Sequence, residues 1–132
     1  MRAAGPTPQG DGAAGGVIST VVDLAKFDVA LDAGKLISPA SYTAMMTPTR
    51  SVTGERLPYG IGWFIQDYKG HRLAWHSGLW EDAYSALYLK VPDEHLTLIL
   101  LANSEGLRWG NPLDKAEVEK SPFAAAFLKE LL

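Results

Sequence analysis

The sequence predicts an α+β fold: an antiparallel sheet of three strands flanked by N- and C-terminal helices. Three observations carry this. Apolar residues recur at helical spacing behind Ser or Thr caps near both ends of the chain. Between them lie three runs rich in aromatic and β-branched residues, at 59–65, 85–91 and 96–102, separated by turn signals. Strands joined by tight turns pair antiparallel. The last run is almost continuously apolar, so it should be covered on both faces, and helices must supply that cover.

Taken in order, residues 1–16 hold five Gly, two Pro and four Ala without periodicity, which predicts a flexible N-terminal segment. A connector of this kind seldom opens a domain, so the chain is expected to begin within a larger fold, with residues 17–132 forming the structured part. Thr20 followed by Asp23 approximates a capping box, with Ser19 the alternative cap. Leu24, Phe27 and Leu31 then recur at helical spacing, with Asp28 and Asp32 expected on the wetter side, and Gly34 ends the helix. Ser38-Pro39 repeats the start signal, Tyr42, Met45 and Met46 give a short apolar face, and Pro48 stops it. Residues 49–58 form a polar loop. Turns are expected at Asp67-Tyr-Lys-Gly70 and at Pro92-Asp-Glu-His95. Asn103-Ser-Glu-Gly106 closes the sheet region, and 108–120 is irregular, with a turn of helix near 114–118. Ser121-Pro122 caps a final helix whose Phe123, Phe127 and Leu131 are expected to face inward.

The bulk composition removes several function classes. A net charge of −3, with no two Lys or Arg residues adjacent, gives no electrostatic footprint for nucleic acid. The absence of cysteine excludes disulfides and thiolate metal sites. No apolar run approaches the roughly 20 residues of a membrane span, and no signal-peptide core stands at the N-terminus. Glycine-rich phosphate and dinucleotide motifs are missing as well.

The chemistry concentrates in Leu73-Ala-Trp-His-Ser-Gly-Leu-Trp-Glu-Asp-Ala-Tyr84. His76-Ser77-Gly78 is expected at the end of an internal strand, where a short polar run gains nothing from packing. A His, a hydroxyl and a Gly in succession supply a proton carrier, a hydrogen-bonding group and an unhindered backbone. That suits one wall of an active site. The bland alternative is a strand-end histidine bonded to a neighbour, followed by a plain turn. His71 and His76 are five residues apart, which on one strand points them to opposite faces and argues against a shared metal. Glu81-Asp82 reads as a solvated turn.

Five segments then occur in a familiar order: Gly15-Gly16-Val-Ile-Ser-Thr-Val-Val-Asp-Leu-Ala-Lys-Phe27, Leu36-Ile-Ser-Pro39, Tyr59-Gly-Ile-Gly-Trp63, His76-Ser-Gly78 and Ala102-Asn-Ser104. Together they resemble the C-terminal part of the serine β-lactamase and penicillin-binding-protein-like family, in its class C β-lactamase, D-alanyl-D-alanine carboxypeptidase and esterase branch. The likeness covers roughly residues 13–105, and the final helix fits the family's closing helix. It implies that the chain is part of a β-lactamase/transpeptidase-like fold.

The family works through three motifs: Ser-x-x-Lys, Tyr-x-Asn, and Lys-Thr-Gly or His-Ser/Thr-Gly. His76-Ser77-Gly78 matches the third. By that resemblance His76 steers charge and protons, and Ser77 holds a substrate carboxylate or carbonyl. Gly78 lets the substrate approach, and the Leu79 N–H is an oxyanion-hole donor. None of the eight serines has Lys three residues on, and none of the five tyrosines has Asn two residues on. The family places both motifs upstream. Where Leu79 stands the family often has a small residue, and near Ala83 a Gly. Leu79 and Trp80 are therefore expected to narrow the cleft. The resemblance implies no metal or organic cofactor, a small-molecule acyl substrate once an upstream half complements the chain, and a bacterial extracytoplasmic setting. A three-stranded sheet would also leave an edge unpaired, from which self-association is expected.

Overall fold

The computed structural model describes residues 15–112 and 114–132, so the expected flexible segment lies almost wholly outside it. Helix α1 (Val21–Asp32) starts as its cap predicts: the Thr20 hydroxyl accepts the Asp23 N–H at 3.1 Å. It stops at Gly34, whose φ of 66° suits a residue without Cβ. Helix α2 (Pro39–Met45) is capped by Ser38, and α3 (Pro122–Leu131) by Ser121, each with Pro at its start.

The sheet is antiparallel but has four strands rather than three, in the order β1 (Phe64–Tyr68), β2 (His71–Trp80), β3 (Tyr84–Val91), β4 (Leu96–Ala102). The segment around His76 is itself a strand of ten residues, so His76-Ser77-Gly78 sits inside β2 and not at its end. The aromatic run at 59–65 is displaced to 64–68. Gly60 and Gly62 turn the chain there: the Gly60 N–H bonds the Trp63 carbonyl at 2.8 Å, and the Ile61 N–H bonds the Met45 carbonyl at 3.1 Å. Local glycine geometry overrides the β-propensity of the neighbours. Tyr68 pairs with His71 across Lys69-Gly70, both at positive φ, as a two-residue hairpin requires.

Alternate residues of β2 enter two cores. Leu73 and Trp75 pack with Leu87, Leu89, Val118, Ala124 and Leu128 on the α3 face. Ala74 packs with Leu31, Met46, Trp63 and Ile65 on the α1–α2 face. On the first face the Gln66 side-chain oxygen accepts from both the Trp75 indole (3.2 Å) and the Val118 N–H (3.0 Å), tying β1 to the segment before α3.

Three expectations are corrected. Asp28 is buried, not on the wet side of α1: its carboxylate takes Lys90, the Tyr88 hydroxyl and the Thr97 hydroxyl. The burial of Lys90, at 1% exposure, draws the acid inward. In α3 the fully buried residues are Ala124 and Leu128; of the three residues expected inward, Phe127 packs half-buried against the same core, while Phe123 and Leu131 are exposed. Finally, β4 ends the sheet among the described residues and is half-buried, with Leu101 exposed, instead of being covered on both faces. The turn of helix expected near 114–118 appears as a 3-10 turn at Val118–Lys120. No described helix is long and apolar enough to cross a membrane.

Candidate active site

The two hairpins are unequal in length, and this makes the site. Phe64, the first residue of β1, pairs with Trp75; from His76 to Trp80, β2 is paired only with β3 among the described residues. A strand with one free side presents N–H and C=O groups to whatever lies alongside it. His76, Ser77, Gly78 and Leu79 therefore share one open strand edge, and all four line a cleft of about 620 Å³.

His76 is exposed, with its ring set between aromatic neighbours. The ring centroid lies 6.0 Å from Tyr59, nearly edge-on, and 5.8 Å from Phe64. Its Nδ1 lies 2.7 Å from the Ser77 carbonyl oxygen. A proton on Nδ1 donates to that oxygen and leaves Nε2 as the acceptor nitrogen. Burial pushes the Tyr59 phenol above its ordinary pKa, so it stays neutral beside the imidazole.

Gly78 is not demanded by packing, since a Cβ there would meet only the Ala86 Cβ at 3.8 Å. The missing side chain matters on the open side, where the backbone stays unobstructed. Leu79 lines the cleft and leaves 43% of its surface in water. His71 points away from this group and pairs with Glu94 at 3.0 Å. Among the described residues no three His, Asp or Glu side chains gather as a metal site would need.

The far wall was not legible in the sequence. It is the loop 104–111, which brings Leu107, Arg108 and Trp109 to the cleft. Ser85, nearly buried on β3, holds it twice: its hydroxyl donates to the Ser104 carbonyl at 2.6 Å and accepts the Leu107 N–H at 3.2 Å. Glu105 accepts the Asp82 N–H at 2.7 Å, linking the loop to the β2–β3 turn where Glu81 and Asp82 lie. A tryptophan inside an otherwise polar, irregular stretch was the one available signal. A second hollow of about 420 Å³, bordered by Arg56, Asp67, Asp114 and Glu117, contains none of the expected site residues.

Comparison with known proteins gives the family. A family model described as Beta-lactamase matches residues 1–120. Over 99 residues the chain is 41% identical to "Penicillin-binding protein 4*" of Bacillus subtilis (strain 168), covering 74% of this chain and 21% of that protein. Over 98 residues it is 31% identical to "Unguisins hydrolase ungD'" of Aspergillus campestris (strain IBT 28561), covering 69% of this chain and 18% of that protein. The chain thus spans about a fifth of the length of the curated relatives it matches. No solved structure matches it. With the α+β sheet, the His-Ser-Gly strand and a family model matched over most of its length, the chain belongs to the beta-lactamase family.

Proposed function

We propose that the chain is the C-terminal segment of a serine hydrolase that transfers acyl groups through an acyl-serine, on a β-lactam, a peptide or an ester. The observation that carries this reading is the free edge of β2 at His76–Leu79, which faces the cleft along its whole length. One relative is named a penicillin-binding protein and the other a hydrolase, and both names fit acyl chemistry.

In this reading the nucleophile and its base reach the cleft from an upstream segment, since the 132 residues hold no Ser-x-x-Lys and no Tyr-x-Asn. His76, with Nδ1 donating to the Ser77 carbonyl, offers Nε2 as the nitrogen that accepts a proton near that nucleophile. Ser77 hydrogen-bonds a substrate carboxylate or carbonyl, and Gly78 admits the substrate to the strand. The Leu79 N–H is one donor of the oxyanion hole; removing such a donor costs about 3–4 kcal/mol in other hydrolases.

The test joins the chain to an upstream segment carrying Ser-x-x-Lys and follows acylation by a nitrophenyl ester in the mass spectrum. Acylation that falls with His76→Ala, at unchanged folding stability, is the expected result. The 132-residue chain alone is expected to be silent toward the same ester. Turnover by the chain alone that vanishes with Ser77→Ala would make Ser77 the nucleophile and overturn these roles. The missing motifs also favour a second reading, a non-catalytic remnant that binds a ligand or partner in the same cleft. Ligand binding without acylation in the joined protein would select it.

A further inference from the structure

The far side of the cleft carries a second inference, which rests on the acyl-transfer reading for the word acyl but not for the binding it describes. We propose that Leu107 and Trp109 form a specificity wall for a bulky apolar acyl group, and that Ser85 and Glu105 are the positioning residues that latch this wall in place.

The argument begins with rigidity. Tyr59 meets Phe64 edge-on at 4.8 Å, Phe64 stacks on Trp75 at 4.3 Å, and Trp109 lies 5.6 Å from Trp75. Four rings in sequence form a continuous apolar backing that runs from the His76 side of the cleft to the loop 104–111. Leu79, paired across the hairpin with Ser85, lines the same cleft with 43% of its surface in water. An exposed leucine sharing a cleft with leucine and tryptophan gains by burying a ligand's apolar group against all three. A small, strongly charged ligand would leave both sides hydrated.

Within the loop, the Arg108 N–H bonds the Glu105 carbonyl at 2.9 Å and the Gly106 N–H bonds the Ser104 hydroxyl at 3.2 Å, but neither bond ties the wall to the sheet. Leu107 is 8% exposed, yet it lies in a loop outside any helix or strand. Its position comes from the two hydrogen bonds of Ser85 and from the Glu105 carboxylate on the Asp82 N–H. Asp82 has φ 60°, a conformation disfavoured for a residue with Cβ, and the carboxylate holds its amide in that geometry. Both latches start from the β2–β3 hairpin, so the strand that bears His76 and the wall facing it are aligned by the same element. Cleft width is set there.

The experiment titrates the 132-residue chain with acetamide, butyramide and hexanamide, neutral amides of rising apolar length, and follows backbone and indole N–H signals by NMR. Shifts should concentrate on Leu79, Leu107 and the Trp109 indole, and affinity should rise about fourfold per added methylene. Trp109→Ala should flatten that length dependence, as should Ser85→Ala and Glu105→Ala. Glu105→Gln, which keeps a side-chain oxygen to accept the Asp82 N–H, should restore it. Affinity independent of chain length, or shifts located elsewhere, would overturn the wall. Folded Glu105→Ala and Ser85→Ala variants that bind like the parent would overturn the latch, and the Glu105 pair decides this even where Ser85→Ala does not fold. Length-dependent binding with no acylation in the joined protein would sink the acyl-transfer role and leave the wall standing.

Discussion

Replacing Lys90 with Met tests how the sheet is joined to α1. Lys90 is 1% exposed, and its ammonium meets Asp28 and, at 2.9 Å, Asp32. Asp28 lies 62 residues away in sequence and also accepts the Tyr88 and Thr97 hydroxyls, the latter at 2.8 Å. Removing one member of a buried ion pair costs about 3–5 kcal/mol, because the other charge stays buried without compensation. Here two hydroxyls still donate to Asp28, and Asp32 reaches solvent, so the lower end applies, about 3 kcal/mol. Set against a stability of roughly 5–15 kcal/mol for a domain, that is a large share. For a chain of this size it corresponds to a fall in Tm of roughly 10–15 °C. Urea denaturation followed by circular dichroism gives the value, with Asp28→Leu and the double variant completing a cycle. The double variant should recover part of the loss, since it removes both charges together. A cost under about 1 kcal/mol for Lys90→Met with an unchanged m value would refute the reasoning, and would mean that the lysine reaches water by snorkelling.

Four further outcomes follow from the same structure. Burial works to raise the Asp28 pKa, but hydrogen bonds from Lys90, Tyr88 and Thr97 outweigh it and hold the carboxyl below its ordinary 3.8; a depressed folded value means stability present above pH 3.8 and lost as pH falls through it, so Asp28→Asn should weaken that acid dependence in pH-dependent urea melts. The opposite sign holds for Tyr42, which burial and the nearby Asp32 push up to about 12: its stabilisation is present below pH 10 and disappears between 10 and 12, and a tyrosinate absorbance titration should show it ionising late. Gly60→Ala should cost about 1–3 kcal/mol or more, because the new Cβ would sit 2.2 Å from the Met45 carbonyl oxygen, which is backbone and cannot swing aside; an unchanged Tm would show that the 59–63 turn is not seated on α2. Self-association is expected through β4, which carries no Lys or Pro and whose one polar side chain, Thr97, is turned to Asp28; sedimentation velocity showing monomer alone at micromolar concentration would refute it.

The parts of this chain that could be read without coordinates are those governed by neighbours in sequence. Thr20, Ser38 and Ser121 each cap a helix because a side-chain oxygen three residues back can reach an otherwise unpaired N–H. Gly34 and the Lys69-Gly70 turn follow from backbone sterics alone. The α+β class and the His-Ser-Gly motif were legible for the same reason, but the ten-residue strand that carries the motif was not. What required the tertiary structure depends on register and on distant partners. The spacing of Asp28 within α1 says polar and outward; only β3, lying across the helix with Lys90, makes it an interior residue. The periodicity of Phe123, Phe127 and Leu131 marks a helix, but the inward face is centred on Ala124 and Leu128, and of the three only Phe127 packs against the core. The cleft itself arises because β1 begins only at Phe64, opposite Trp75, while β2 continues to Trp80, a difference in strand length set by glycines at 60 and 62. Ser85 and Glu105 carry no motif. Their part in the far wall exists only once the hairpin and the loop after β4 are brought together, since a hydrogen bond across about 20 residues leaves no local trace.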